Sequence, residues 1–448
     1  MKFSLRHQST GKLYPYIAQL SYAMYYAMFR KIYIFNRLGV PTDQPVLLAA
    51  NHPTAFVDPC LLCSYLDPPI YNMTRGDVFR KPLFRKLMES INMFPVYRVR
   101  DGYGQRDRND EVFEYCIGKL KEQRVVTIYV EGEHHLEKRV WPCQKGIARI
   151  AFAAFERHRL ENLQVIPAGC NYVAGDRPRD EVMINIGLPI FVRDYWDFYQ
   201  ENPTGAIQRL CADIEQALRS ICYHVQSEDD DLLAEHLLEL DRNTHTDPSF
   251  PVVRYDGARF FREKALLDRL NLLSEPEKEH LGGQISQYYQ ALRKAGLNDD
   301  ILMSRRLVGP FRWLFLLAGL IPFLVGYISS QPLAVFSRRI ADKKVKKREF
   351  YTSVMMGAGF IAGIVYYLLL FLIMLLIGNP FWIALGLLLP FLGWFSQFYR
   401  EKWEEVVHAI KALRHPLRGD LLHVRAAIME HAIIKNEPAA TELAAIKK

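Results

Sequence analysis

No cysteine lies beyond residue 222 in this chain of 448, and the seven present (Cys60, Cys63, Cys116, Cys143, Cys170, Cys211 and Cys222) show no disulfide-like spacing. The start, Met1-Lys2-Phe3-Ser4-Leu5-Arg6-His7, lacks the apolar core of a signal peptide. An odd number of cysteines without an export signal points to reduced thiols in a cytoplasmic domain. Cys60 and Cys63 form a C-x-x-C inside the apolar run Cys60-Leu61-Leu62-Cys63, with no second pair to complete a zinc site, so they read as core packing. There is no zinc finger, RNP-like strand or base-reading basic helix. The formal net charge of +8 therefore points to membrane and phosphate, not nucleic acid. Nor is there a G-x-S-x-G elbow or an H-E-x-x-H, which argues against a hydrolase and against a metal site.

What is present is unevenly spread. Half of the residues are hydrophobic. Residues 1–305 mix apolar and charged side chains as a globular protein does, whereas 307–398 hold long, nearly uncharged runs. Residues 13–35, rich in Tyr, Met, Ile and Phe, read as an amphipathic helix that either lies in a membrane interface or packs on the domain core. Helix and strand then alternate through 40–195. Strands are expected at 45–50, 93–99, 125–130, 164–168 and 182–190, and helices at 59–66, 75–92, 110–123 and 146–157. The fold class this predicts is α/β, a mixed sheet flanked by helices. The acidic run 227–231 reads as a solvated helix start, and 257–274 and 276–296 as paired helices of an insert.

Three hydrophobic runs follow, Phe311–Ser329, Val354–Ile377 and Phe381–Phe398. The second is long enough to cross a bilayer, and Gly378-Asn379-Pro380 turns it into a hairpin with the third. The loop between the first two carries seven basic residues (Arg338, Arg339, Lys343, Lys344, Lys346, Lys347, Arg348), which places it on the cytoplasmic side. A full crossing by the first run would put residues 1–305 on the opposite face from this loop. That run, with Pro310 and Pro322, is therefore expected to be broken into a re-entrant or interfacial segment. The expected division is an amphipathic start (1–40), a catalytic domain (41–225), a helical insert (226–305), a membrane region (306–400) and a cytoplasmic tail (401–448). The localisation expected is a multi-pass protein, in a bacterial inner membrane, with a cytoplasmic catalytic domain.

The strand at 45–50 ends in Asn51-His52-Pro53-Thr54-Ala55-Phe56-Val57-Asp58-Pro59. Histidine titrates near neutrality and suits a general base, and a nearby carboxylate can fix its tautomer. Asp58-Pro59 is equally what a helix start looks like. Downstream, Arg98 and Arg100 occupy alternate positions at a strand end, either as a phosphate fork or as solvated side chains. Thr127–Val130 runs into Glu131-Gly132, and Val165-Ile166-Pro167-Ala168-Gly169 closes another apolar strand. The adjacent His134 and His135 point opposite ways on an extended chain and make no metal site.

These four blocks, in this order, resemble the glycerolipid acyltransferase superfamily, which includes glycerol-3-phosphate and lysophosphatidic acid acyltransferases. The resemblance spans about residues 30–200. Asn51-His52…Asp58 is similar to its N-H-x4-D, Arg98 to its arginine block, Glu131-Gly132 to F-P-E-G, and Pro167 to its V-I-P block. Here five residues, not four, separate His52 from Asp58, as in a branch with C-terminal membrane segments, and Val130 stands for the family's proline. The resemblance implies His52 as general base, Asp58 as its partner, and Arg98, Glu131 and Gly132 in binding the acceptor. Arg100, Lys145 and Arg149 are further candidate phosphate contacts. The reaction implied is transfer from acyl-CoA or acyl carrier protein to glycerol-3-phosphate or lysophosphatidic acid, with no tightly bound cofactor. The partners implied are a phospholipid membrane, that acceptor and acyl carrier protein. A catalytically silent lipid-binding or scaffold protein on the same fold is the alternative.

Overall fold

A computed structural model describes residues 11–76, 79, 81–96, 106–304 and 309–433. The chain forms two compact units. The first takes Met1–His224 together with Ser249–Phe260 and Lys346–Ser353; the second takes Val225–Pro248, Phe261–Val345 and Val354–Lys448.

In the first unit the chain runs α1 (Tyr14–Met28), β1 (Lys31–Phe35), β2 (Val46–Ala50), α2 (Val57–Tyr65), β3 (Ile70–Arg75), α3 (Pro82–Glu89), β4 (Met93–Val96), α4 (Arg106–Lys121), β5 (Val125–Tyr129), α5 (Gly146–His158), β6 (Gln164–Tyr172), β7 (Glu181–Ile186), β8 (Ile190–Phe191), α6 (Trp196–Glu201) and α7 (Pro203–Ile221). The later strand β9 (Val253–Arg254) joins the same sheet. The order is β4-β3-β5-β2-β6-β7-β1-β9, with β8 beside β6. From β4 to β6 the strands are parallel, β7 turns antiparallel to β6, and β1 and β9 follow β7 in parallel. The mixed sheet flanked by helices is thus the fold.

Every residue of β2 is buried, as a central parallel strand with helices on both faces requires. Leu47, Ala49, Val126 and Ile128 pack with Ile117 of α4, Phe152 of α5 and Ile214 of α7 in one core. Each such side chain contributes about 1.5–3 kcal/mol on burial. On the opposite face α2 reaches β3 through Asn72 Nδ2 and Cys63 Sγ (3.1 Å), and the Tyr22 and Tyr65 rings join α1 to α2 at 4.9 Å.

Two strands depart from the expected pattern. Residues 31–35, read as the tail of a helix, form β1. Residues 70–75 form β3, and the helix expected over 75–92 is only Pro82–Glu89, with proline in its first turn. Neither strand shows a clean period of two: β1 is buried on both faces, and β3 carries the buried polar Asn72.

The second unit comprises α8 (Asp231–Thr244), most of α9 (Ala258–Leu272), α10 (Glu275–Lys294), α11 (Asp299–Met303), α12 (Pro310–Lys344), most of α13 (Tyr351–Ile377), α14 (Pro380–Leu413) and α15 (Arg418–Ile433). Asp230, read as a solvated helix start, is buried and paired with Lys278 at 2.8 Å. Asp299 is fully buried and receives Arg425 Nε (2.7 Å) and Nη2 (3.1 Å), the Tyr288 hydroxyl (2.5 Å) and Asn243 Nδ2 (2.8 Å).

The expected break in the first hydrophobic run does not occur. α12 continues through Pro322 and Pro332 for 35 residues. A partner helix along its length offsets what the prolines disrupt. The Tyr399 hydroxyl of α14 donates to Leu316 O at 2.6 Å, and Gly326 lies so close to α14 that a Cβ there would stand 1.9 Å from Leu392 O. α12, the segment Arg348–Ile377 and α14 are each long and apolar enough to cross a membrane. α13 and α14 meet at Gly378, whose positive φ of 73° suits glycine, and the Asn379 side chain caps the Phe381 N–H.

Candidate active site

The carboxyl ends of β2 and β5, neighbours in the sheet, carry the loops that hold His52 and Glu131. In open α/β sheets this is where ligands bind. Asn51, the first residue past β2, clamps that end to β6: its Nδ2 donates to Cys170 O (3.0 Å) and its Oδ1 accepts from Cys170 N–H (2.7 Å). His52 follows, 8% exposed, with Nδ1 2.9 Å from Asp58 Oδ2.

Five intervening residues do not separate the pair, because the loop folds around the carboxylate. Asp58 Oδ2 also accepts the Thr54 N–H (2.8 Å), while Oδ1 accepts the Thr54 hydroxyl (2.8 Å) and the Tyr172 hydroxyl (2.5 Å). Asp58 lies in the first turn of α2, where a negative charge also suits the helix dipole, yet the N-cap position belongs to Phe56. The carboxylate is fully buried and oriented by four donors.

The His52 ring is fixed from more than one side. Tyr129, last residue of β5, stacks on it with centroids 3.8 Å apart and planes 17° apart. His134 meets it edge-on at 4.1 Å, and Phe350 meets His134 edge-on at 4.9 Å. Since Nδ1 is engaged by Asp58, Nε2 is the nitrogen left to act on a ligand.

Glu131 is buried and its two oxygens are spent on the chain itself. Oε2 accepts the His52 N–H (3.2 Å) and Oε1 the Trp141 N–H (3.1 Å). Burial pushes its carboxyl up to about 7, against the pull of those two N–H bonds. Gly132 turns the chain with φ 75°, a conformation that disfavours a side chain. Lys145 and Arg149 are exposed, at the N-cap and first turn of α5. Arg98 and Arg100 lie outside the described residues. The structure thus brings His52, Asp58 and Glu131 together, with Gly132 next in the chain.

Asn51, Thr54, Tyr129 and Tyr172 belong to this arrangement although nothing in the sequence singled out their side chains. Thr54 and Asn51 sit inside the recognised motif, which is the one available signal. Residues 348–353 pack on the same loop, and the basic charge of 346–348, read as a topology signal, gave no hint of this contact.

Residues 31–171 match the family model described as Acyltransferase. That stretch lies within the first unit. An uncharacterized acyltransferase of Schizosaccharomyces pombe is 25% identical over 245 residues, covering 52% of this chain and 35% of that protein. Glycerol-3-phosphate O-acyltransferase 1 of Saccharomyces cerevisiae is 21% identical over 252 residues, covering 52% of this chain and 32% of that protein. The chain spans about a third of the length of these curated relatives. The crystal structure of the 1-acyl-sn-glycerophosphate acyltransferase PlsC of Thermotoga maritima overlaps 48% of this chain and 81% of its own, at 13% identity and a TM-score of 0.34.

Proposed function

We propose that this chain is a membrane-bound O-acyltransferase that moves a fatty acyl group from a thioester to the hydroxyl of a glycerol-phosphate-type acceptor, glycerol-3-phosphate or lysophosphatidic acid. The observation that carries the reading is the buried His52–Asp58 pair at 2.9 Å, at the sheet's carboxyl end, within the stretch that matches the acyltransferase family. His52 Nε2 takes the acceptor's hydroxyl proton as the oxygen attacks the thioester carbonyl; the tetrahedral adduct then collapses with cleavage of the C–S bond, and the departing thiolate takes the proton back from the imidazolium. Asp58 holds the tautomer through Nδ1 and stabilises the imidazolium. No serine is needed, because the acceptor supplies the nucleophile. Glu131 fixes the backbone on which His52 rides. Lys145 and Arg149 are the described cations assigned to the acceptor phosphate, with Arg98 and Arg100 kept from the sequence reading. The donor is acyl-CoA or acyl carrier protein.

The site works at a phospholipid membrane. α1 and its N-cap Leu13 support this by exposing Leu13, Tyr16, Ile17 and Leu20 at helical spacing, an apolar stripe fit for an interface. In this reading α13 and α14 form the spanning hairpin, and α12 does not cross. Residues 249–260 and 346–353, which flank α12 in sequence, belong to one folded unit and so share one side of the membrane. The basic stretch 338–348, expected as a loop but formed by the end of α12 and the residues after it, supports that side being cytoplasmic.

Membranes holding the chain or its His52→Ala variant, fed labelled acyl-CoA with either acceptor, test the reading. Labelled lysophosphatidic or phosphatidic acid appearing only with His52 intact upholds it and names the acceptor. Silence with acyl-CoA and with acyl carrier protein, for both acceptors, refutes it in favour of a scaffold.

A further inference from the structure

The loop that carries His52 is closed by a segment roughly 300 residues away. The N-cap of α2 is Phe56, whose side chain cannot cap a helix, and the opening N–H groups of a helix have no partner within it. The Phe56 N–H donates to Ser353 Oγ at 3.0 Å, so a serine 297 positions downstream supplies an acceptor there. The Ala55 N–H points to Glu349 O at 3.4 Å. Both residues lie in the stretch between His52 and Asp58.

The same segment grips the turn after β6. Thr352 Oγ1 donates to Gly175 O at 2.8 Å, and the Arg348 guanidinium pairs with Asp176 through Nε at 2.9 Å. That turn follows Tyr172, whose hydroxyl reaches Asp58. Phe350 stands edge-on behind His134, which stands edge-on to His52. Thr352 and Ser353 are both buried. Residues 348–353 therefore contact the loop between His52 and Asp58 directly, the imidazole through His134, and the carboxylate through the turn after β6 and Tyr172.

We infer that residues 346–353 form a strap that positions the histidine loop of the acyl-transfer site, with Ser353 and Phe350 as positioning residues. The inference rests on the acyltransferase reading of His52. The strap touches no reacting atom. Its effect is to hold Nε2 in line with the acceptor hydroxyl, and misplacement by about 1 Å costs on the order of a hundredfold in rate. Loss of a strap contact should therefore lower kcat and leave acceptor affinity nearly as it was.

The full chain in membranes, with Ser353→Ala, Ser353→Thr, Phe350→Ala and the control His52→Ala, tests this. The expected result is a fall in kcat of about tenfold for Ser353→Ala and about ten- to a hundredfold for Phe350→Ala, with acceptor KM within about twofold. Ser353→Thr, which keeps the hydroxyl, should recover most of the loss. Hydrogen exchange read on peptides covering residues 53–58 should quicken in Ser353→Ala while α5 stays protected. Wild-type kcat and unchanged exchange in both strap variants, with His52→Ala inactive, would overturn the strap and leave the function standing. A raised KM at constant kcat would also overturn it, by making the segment a substrate contact. Full activity in His52→Ala would sink the underlying reading and the strap with it.

Discussion

Among the described residues, Asp58 and Asp299 are aspartates with no exposed surface, and their surroundings look alike until the partners are followed outward. Asp58, in the α/β unit, takes hydrogen bonds from Thr54, Tyr172 and His52. Asp299, in the helical unit, takes them from Arg425, Tyr288 and Asn243. Arg425 spends its other N–H groups on Thr244 Oγ1 (3.0 Å) and Leu240 O (2.5 Å), so that cluster closes on itself and ties α8, α11 and α15 together. His52 spends one nitrogen on Asp58 and carries a second with different chemistry. A buried carboxylate marks chemistry only when its partner has a reactive atom left over; otherwise it marks a joint.

The largest effect that can break this contrast is on activity. His52→Ala should reduce acyl transfer by about 10²–10⁴-fold, with a stability loss smaller than that of the Arg425 change below because Asp58 keeps the Thr54 and Tyr172 donors. Asp58→Asn should give a similar or somewhat smaller loss, read as kcat in the same assay, because the amide misorients the ring. If the two aspartates were equivalent, Asp58→Asn would instead act mainly on stability. Arg425→Met should do the reverse. Leaving Asp299 charged without its cationic partner, with Tyr288 and Asn243 as the remaining donors, costs about 3–5 kcal/mol, measured by denaturant unfolding in detergent, while turnover per folded molecule is unchanged.

Glu131 sharpens the contrast on the pH axis. Its carboxyl rises from 4.5 to about 7 in the fold. Between those values the unfolded chain has lost this proton while the folded chain retains it. This group's contribution therefore makes stability fall as pH rises through that window and levels off above it. Glu131→Gln should flatten the fall in melting temperature across about pH 5–7. The smallest effect belongs to Lys145→Ala and Arg149→Ala. Acceptor KM should rise a few-fold, with stability within about 0.5 kcal/mol of wild type because both side chains are exposed.

What the sequence made legible follows from range. The apolar runs of β2 and β5, the hairpin turn at Gly378 and the His52–Asp58 pairing all rest on neighbours within a few residues, and local pattern carries such information. Tyr172 reaches Asp58 across 114 positions and Ser353 reaches Phe56 across 297, and no local pattern encodes either contact. β3 escaped notice because its buried Asn72 breaks the apolar signal. The unbroken course of α12 escaped because proline warns of a kink locally, whereas the helix beside it decides the outcome.

Ser353 also sets a clock. A ribosome adds about 5–20 residues per second, so some 15–60 s pass between the emergence of Phe56 and that of the serine whose oxygen accepts its N–H. During that interval water must serve the N–H. The α/β unit thus stays incomplete until residue 353 is made, long after its sheet strands have emerged. Its final piece arrives in the first turn of α13, just as the apolar hairpin begins to leave the ribosome.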